Sequence, residues 1–97
     1  MYNTIMVSVH VCIRGVVQGV FFRMSTQQVA MKIGVTGWVK NCSDGSVEAL
    51  FEGVQAQVSD MIQWCHRGPN NARVVSVDIL DSKDCTNPQE GFTILYE

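Results

Sequence analysis

No apolar run in this sequence approaches the ~20 residues that a membrane-spanning helix needs, and none of its cysteines forms a C-x-x-C pair. The first absence excludes a transmembrane anchor. The second argues against a zinc knuckle or a thioredoxin-type redox motif. Met1 to Thr4 lack a basic stretch leading into an apolar run, so no signal peptide is read and the chain is expected to be cytoplasmic. In that setting Cys12, Cys42, Cys65 and Cys85 read as reduced thiols, with one incidental disulfide as the alternative. Acidic residues are missing from the first 43 positions, which hold Arg14, Arg23, Lys32 and Lys40; the remainder has three basic and nine acidic residues. Such asymmetry can set up a local positive field for a small anion, although a short chain can reach it by accident. The net charge of −2 argues against a nucleic-acid partner.

What is present is a globular composition, 46% hydrophobic and 16% charged, enough for one core and unlike a disordered chain. No internal repeat, low-complexity tract or linker interrupts it, so residues 1–97 are expected to form one domain. Val7, Val9, Val11 and Ile13 alternate with Ser8, His10, Cys12 and Arg14, the period of a strand with one buried face. Gly15 to Gly19 interrupt that pattern. Phe22, Thr26, Val29, Ala30 and Ile33 then recur at spacings of three and four, which predicts a helix over 22–33 stopped by Gly34.

Val35 to Asn41 and Val47 to Phe51 read as strands joined through Asp44-Gly45, a strong hairpin signal, and Gly53 closes the second. A second helical stripe (Val54, Val58, Met61, Ile62, Cys65) predicts a helix over 54–66, ended by Gly68-Pro69. Ala72 to Leu80, with Val75, Val77 and Ile79 alternating, is strand-like. Asp81 to Glu90 is expected to be an exposed loop, and Phe92 to Tyr96 a last short strand. The order β-α-β-β-α-β with an added strand predicts an α+β, ferredoxin-like split β-α-β sandwich. Two helices would cover one face of a mostly antiparallel sheet of four to five strands.

Chemistry concentrates in the turn Gly15-Val16-Val17-Gln18-Gly19-Val20-Phe21-Phe22-Arg23. Its glycines let backbone N–H groups converge just before a helix N-terminus, where the dipole favours an anion. A cation such as Arg23 in the first turn opposes that dipole unless an anion lies between them. A guanidinium also matches phosphate oxygens in a two-pronged way. Taken alone the turn reads more readily as a tight connection with an ordinary surface arginine. It lacks the Gly-Lys-Ser/Thr ending of a nucleotide P-loop and the Gly-x-Gly-x-x-Gly of a dinucleotide site. Asn41, beside the Asp44-Gly45 turn, is either a turn former or an amide able to orient a water.

Alternatives are few. The only histidines are His10 and His66. His10 and Cys12 share a strand face and could supply two metal ligands, but no third is evident nearby, and no nucleophile elbow or zincin motif occurs. Phe21 and Phe22 could suggest base stacking, yet they fall at a helix start, and at least one reads as core.

Ile13 to Arg23 resembles the acylphosphatase signature, and Gly37-Trp38-Val39-Lys40-Asn41-Cys42-Ser43-Asp44-Gly45-Ser46-Val47 followed by Gly53 resembles that family's second signature. Both stand in the family's order and spacing; weaker echoes are Gly68-Pro69 with Ala72-Arg73-Val74, and Gly91-Phe92-Thr93-Ile94. The resemblance implies hydrolysis of acyl phosphates to a carboxylate and inorganic phosphate by a monomer, with no cofactor and no metal, and no nucleic-acid or membrane partner. It implies Arg23 as phosphate ligand, Asn41 as the water-orienting residue, and the backbone of Gly15, Val16, Val17, Gln18, Gly19 and Val20 as phosphate cradle. Two rivals stay open at this level. One is a single-stranded RNA binder using Ser8, His10, Cys12, Arg14 and Trp38. The other is a free-standing relative of the acylphosphatase-like domain of carbamoyl-transferring maturation enzymes.

Overall fold

The computed structural model describes residues 5–96. Its elements are β1 (Met6–Val16), α1 (Phe22–Ile33), β2 (Thr36–Asn41), β3 (Val47–Val54), α2 (Gln55–Cys65), β4 (Arg73–Asp84) and β5 (Phe92–Leu95). The five strands form one sheet in the order β4-β1-β3-β2-β5. All pairings are antiparallel except that of β2 with β5. Both helices cover one face, α1 over β2 and β5, α2 over β3, β1 and β4. This is the ferredoxin-like α+β arrangement that the element order predicts. Among the described residues no helix is long and apolar enough to cross a membrane.

Alternation explains the core. Val9, Val11 and Ile13 of β1, Val39 of β2, and Val47, Ala49 and Phe51 of β3 point at the helices and are buried. Phe22 and Ala30 of α1 and Val58, Met61 and Cys65 of α2 meet them, as the two helical stripes predict. Burial pushes the Cys65 thiol pKa up. Gly34 takes a left-handed φ of 101° and its N–H donates to the Ala30 carbonyl at 2.8 Å, which ends α1.

The strand forecast for 72–80 runs further than expected. β4 continues to Asp84, which pairs with Val7, so part of the segment expected as a loop is strand. The first half of β1 would otherwise present an open edge, and the polar run Asp81-Ser82-Lys83 suits an exposed edge strand. The register slips twice, leaving Val75 and Leu80 as extra residues on β4. These bulges break the alternation read from Val75, Val77 and Ile79. Val77 packs on the core, whereas Val75 is 81% exposed. β1 likewise extends past the expected Ile13, to Val16, because Gly15 and Val16 pair with Val74 and Arg73.

The face opposite the helices is not the basic surface that an RNA binder needs. Ser8 and Cys12 are buried, lying in the register between Glu52 and Lys83, and between Glu48 and Asp78. His10 Nε2 lies 2.8 Å from Glu48 Oε1 and its ring packs edge-on against Trp38. Cys42 Sγ donates to the other Glu48 oxygen at 3.0 Å. The Cys42 thiol and then His10 hold the Glu48 carboxyl below its usual pKa. The four thiols are unpaired with one another, and no group of three potential metal ligands occurs among the described residues.

Gly37 sits opposite Phe51 on one side and Phe92 on the other. Those two rings stack at 6.0 Å, leaning together over the position that lacks a side chain. The Gly37 N–H donates to the Gly91 carbonyl at 3.0 Å, and its own carbonyl accepts from Gln89 Nε2 at 2.7 Å. Its φ is 138°, and a Cβ there would stand 1.8 Å from the Leu50 carbonyl oxygen. Gly37→Ala should therefore destabilise the fold by roughly 2–4 kcal/mol. Urea unfolding measures this, and an unchanged midpoint would show that β2 and β3 can separate at no cost.

Candidate active site

β1 ends at Val16, and the chain then turns through Val17 to Phe21 into α1. Val17 is buried and anchors the turn from beneath, and Val20 packs against the core. Gly19 has a φ of 75° and Phe21 a φ of 62°; Phe21 is the one non-glycine residue with positive φ among those described. That left-handed residue immediately precedes α1. The helix begins without a side-chain cap and with no acidic residue in its first turn. Its first N–H groups, which have no partner within a helix, are thus available to an anion. Arg23 is the second residue of α1, as the sequence predicts.

Asn41 reaches the same place from the other side. It ends β2, on the helix-facing side with Gly37 and Val39 by alternation. The parallel pairing of β2 with β5 brings Val39 level with Ile94 and Lys40 level with Leu95, so Tyr96 lies one step on, beside Asn41. Arg23, Asn41, Gln18, Gly19, Ile94 and Tyr96 all line one cavity of ≈ 270 Å³, with Val17, Phe21, Phe22 and Met24 completing the described wall. The Arg23 guanidinium lies over the Tyr96 ring, 5.0 Å from its centre. A π face offsets part of the cost of a cation at a helix N-terminus.

The structure brings half of the cradle read from the sequence onto the cavity wall. Val17, Gln18 and Gly19 face the cavity; Gly15, Val16 and Val20 are not on its wall. Gly15 serves the sheet instead, since a Cβ there would meet the Arg73 carbonyl oxygen at 2.0 Å. Of the two phenylalanines, Phe22 is core and Phe21 is exposed.

Sequence reasoning missed the role of the Gln18 side chain. Its Nε2 donates to the carbonyls of Cys42 and Ser46, both at 2.8 Å. The turn after β1 is thereby tied to the hairpin that follows Asn41. A second tie runs parallel to it, from Arg14 Nη1 to Asp44 Oδ2 at 3.2 Å. The Ser46 hydroxyl and amide, and then Arg14, hold the Asp44 carboxyl down to about 2. No local pattern marks these contacts, which link residues 24 to 30 positions apart.

Residues 9–94 match the sequence model of the acylphosphatase family. The chain belongs to the acylphosphatase family. It is 47% identical to an acylphosphatase of Roseiflexus sp. (strain RS-1), over 94% of this chain and 97% of that protein. Among solved structures it is similar to an acylphosphatase from Bacillus subtilis, with a TM-score of 0.87 and 30% identity over 93% of this chain and 99% of that one. The acylphosphatase from Coxiella burnetii superimposes with a TM-score of 0.83 and 32% identity, over 98% of this chain and 100% of that one. The two sequence stretches that resemble the acylphosphatase signatures are the two that meet at the cavity.

If Gln18 fixes the spacing between turn and hairpin, Gln18→Met should remove two hydrogen bonds, leaving the Cys42 and Ser46 carbonyls with only their backbone donors, Gly45 and Cys42. The cost should be roughly 1–3 kcal/mol in chemical denaturation. A midpoint equal to that of the wild type would show that the Arg14–Asp44 tie suffices alone.

Proposed function

We propose that this chain hydrolyses the carboxyl-phosphate bond of acyl phosphates, with Arg23 and the turn at Val17–Gly19 holding the phosphoryl group and Asn41 orienting the attacking water. The observation that carries this reading is the convergence of Arg23, Asn41 and an uncapped helix start on one small cavity. An acyl phosphate brings its own good leaving group. The site therefore needs mainly to place the water in line and to stabilise charge on the phosphoryl oxygens.

In this reading the guanidinium grips two phosphoryl oxygens in a fork and the N–H groups of the turn and helix start take the others. The Asn41 side-chain carbonyl accepts a hydrogen from the water and aims its oxygen at phosphorus. The water oxygen bonds to phosphorus as the bond from phosphorus to the acyl oxygen breaks, and that electron pair leaves on the carboxylate. The described wall contains no Asp, Glu or His. A phosphoryl oxygen of the substrate then accepts the water's proton, giving inorganic phosphate and a carboxylate as products.

The test is hydrolysis of benzoyl phosphate in the presence of a chelator. Wild type should turn over, and Arg23→Lys should lose both binding and turnover, because it keeps charge and loses the fork. Asn41→Ala should lower kcat by roughly 10²–10³ while inhibition by inorganic phosphate stays within about twofold. An equal loss of phosphate affinity would make Asn41 a binding residue, and wild-type kinetics in Arg23→Lys would remove Arg23 from the site.

A further inference from the structure

Three large apolar side chains on the wall of this cavity face solvent: Phe21 is 72% exposed, Met24 50% and Tyr96 76%. Val75 and Leu80, which are exposed on β4, are the extra residues of its two bulges. No irregularity of the sheet accounts for Phe21, Met24 and Tyr96, and they gather on the site.

Phe21 is the most telling of the three. Its φ of 62° is one that glycine adopts freely and a bulky L-residue does not. Strain of this kind persists where the surroundings impose it, and it clusters at functional sites. Neither packing nor capping calls for a phenylalanine at this position, since the ring is largely exposed and the helix has no side-chain cap. Phe21 nonetheless lies on the cavity wall.

The charges around it point the same way. Arg23 is the one charged side chain among the described wall residues. In the reading above it is engaged by the phosphoryl group. An acyl group carrying its own carboxylate would find no second cation on that wall, whereas an aromatic ring would find Phe21, Tyr96 and the thioether of Met24, groups that favour contact with aromatic surfaces.

We propose that Phe21, Met24 and Tyr96 form an acyl-binding rim that selects acyl phosphates with an aromatic or otherwise apolar acyl group over short or carboxylate-bearing ones. Phe21 is its principal specificity-determining residue. The proposal rests on the assignment of the cavity as an acyl-phosphate site, so its test includes a measurement that does not depend on turnover.

Calorimetry should compare benzylphosphonate with methylphosphonate, two stable anions that differ in the apolar group. Wild type should bind benzylphosphonate about tenfold more tightly, the worth of one aromatic contact. Phe21→Gly should cut that preference to within about twofold, by lowering benzylphosphonate affinity far more than methylphosphonate affinity, and hold or raise the thermal midpoint, because glycine relaxes at this φ. Met24→Gln, in a regular helical position, should reduce the preference in the same direction and serves as the second variant. Equal affinity of wild type for the two phosphonates, or a parallel loss of both in Phe21→Gly, would overturn the rim.

The ratio of kcat/KM for benzoyl phosphate to that for acetyl phosphate separates this inference from the activity itself. Turnover with no preference removes the rim and leaves the hydrolase. No turnover, with the benzylphosphonate preference intact, removes the hydrolase and leaves the rim as a ligand site.

Discussion

Gln18 spends both hydrogens of its side-chain amide on two backbone carbonyls of the β2–β3 hairpin, each at 2.8 Å. The pair of bonds sets how far the turn after β1 stands from the end of β2. Arg23 follows that turn by a few residues and Asn41 precedes that hairpin by one. The relative position of the two polar side chains is therefore set through backbone, which is stiffer than either long side chain could be. The Arg14–Asp44 ion pair lies along the same seam, but both partners are exposed, so water and salt weaken it. The amide, part-buried and uncharged, is insensitive to salt and is the firmer of the two ties.

The sheet supplies the frame for that seam. β1 and β3 lie side by side, and their helix-facing valines and Phe51 hold both helices against one face. Gly37 lets Phe51 and Phe92 meet across β2, which couples the short edge strand β5 to the core. Gln27 of α1 adds a bond from its Nε2 to the Phe92 carbonyl at 2.8 Å. β5 puts Ile94 on the cavity wall and, one residue past its end, Tyr96. A four-residue strand is thus held by a ring stack, a helix side chain and a parallel ladder together, where a ladder of that length alone would be weak.

Much of this was legible in the residues. Helix α1 was readable to both ends because its stripe is periodic and Gly34 stops it. The β2–β3 hairpin was readable from Asp44-Gly45 between alternating runs. Arg23 and Asn41 could be named because each lies within a long signature. The rest depends on contacts between distant residues, which local pattern does not encode. The bulges at Val75 and Leu80 arise from how β4 must follow β1. The extra strand residues to Asp84 exist because β1 offered an edge. Gly15 read as part of an anion cradle, and the close approach of the Arg73 carbonyl, a separate reason for glycine there, has no signal in the sequence. Neither the reach of Gln18 nor the left-handed turn at Phe21 has a signal in composition or spacing. Phe92 to Tyr96 read only as a last short strand; its parallel partnership with β2 is what brings Ile94 and Tyr96 to the cavity.

The position of β5 in chain order has a consequence for biosynthesis. The turn at Val17–Gly19, Arg23 and Asn41 all lie in the first half of the sequence, while Ile94 and Tyr96 follow every other described element. A polypeptide leaves the ribosome from its N-terminus, so Arg23 and Asn41 emerge before the strand that walls them. Until β5 docks, β2 has a bare edge and Arg23 and Asn41 border an open notch rather than a pocket. Closure of the cavity thus waits on the docking of one short strand, and a state with β5 undocked keeps the other four strands paired while the cavity lacks the wall that Ile94 and Tyr96 give it.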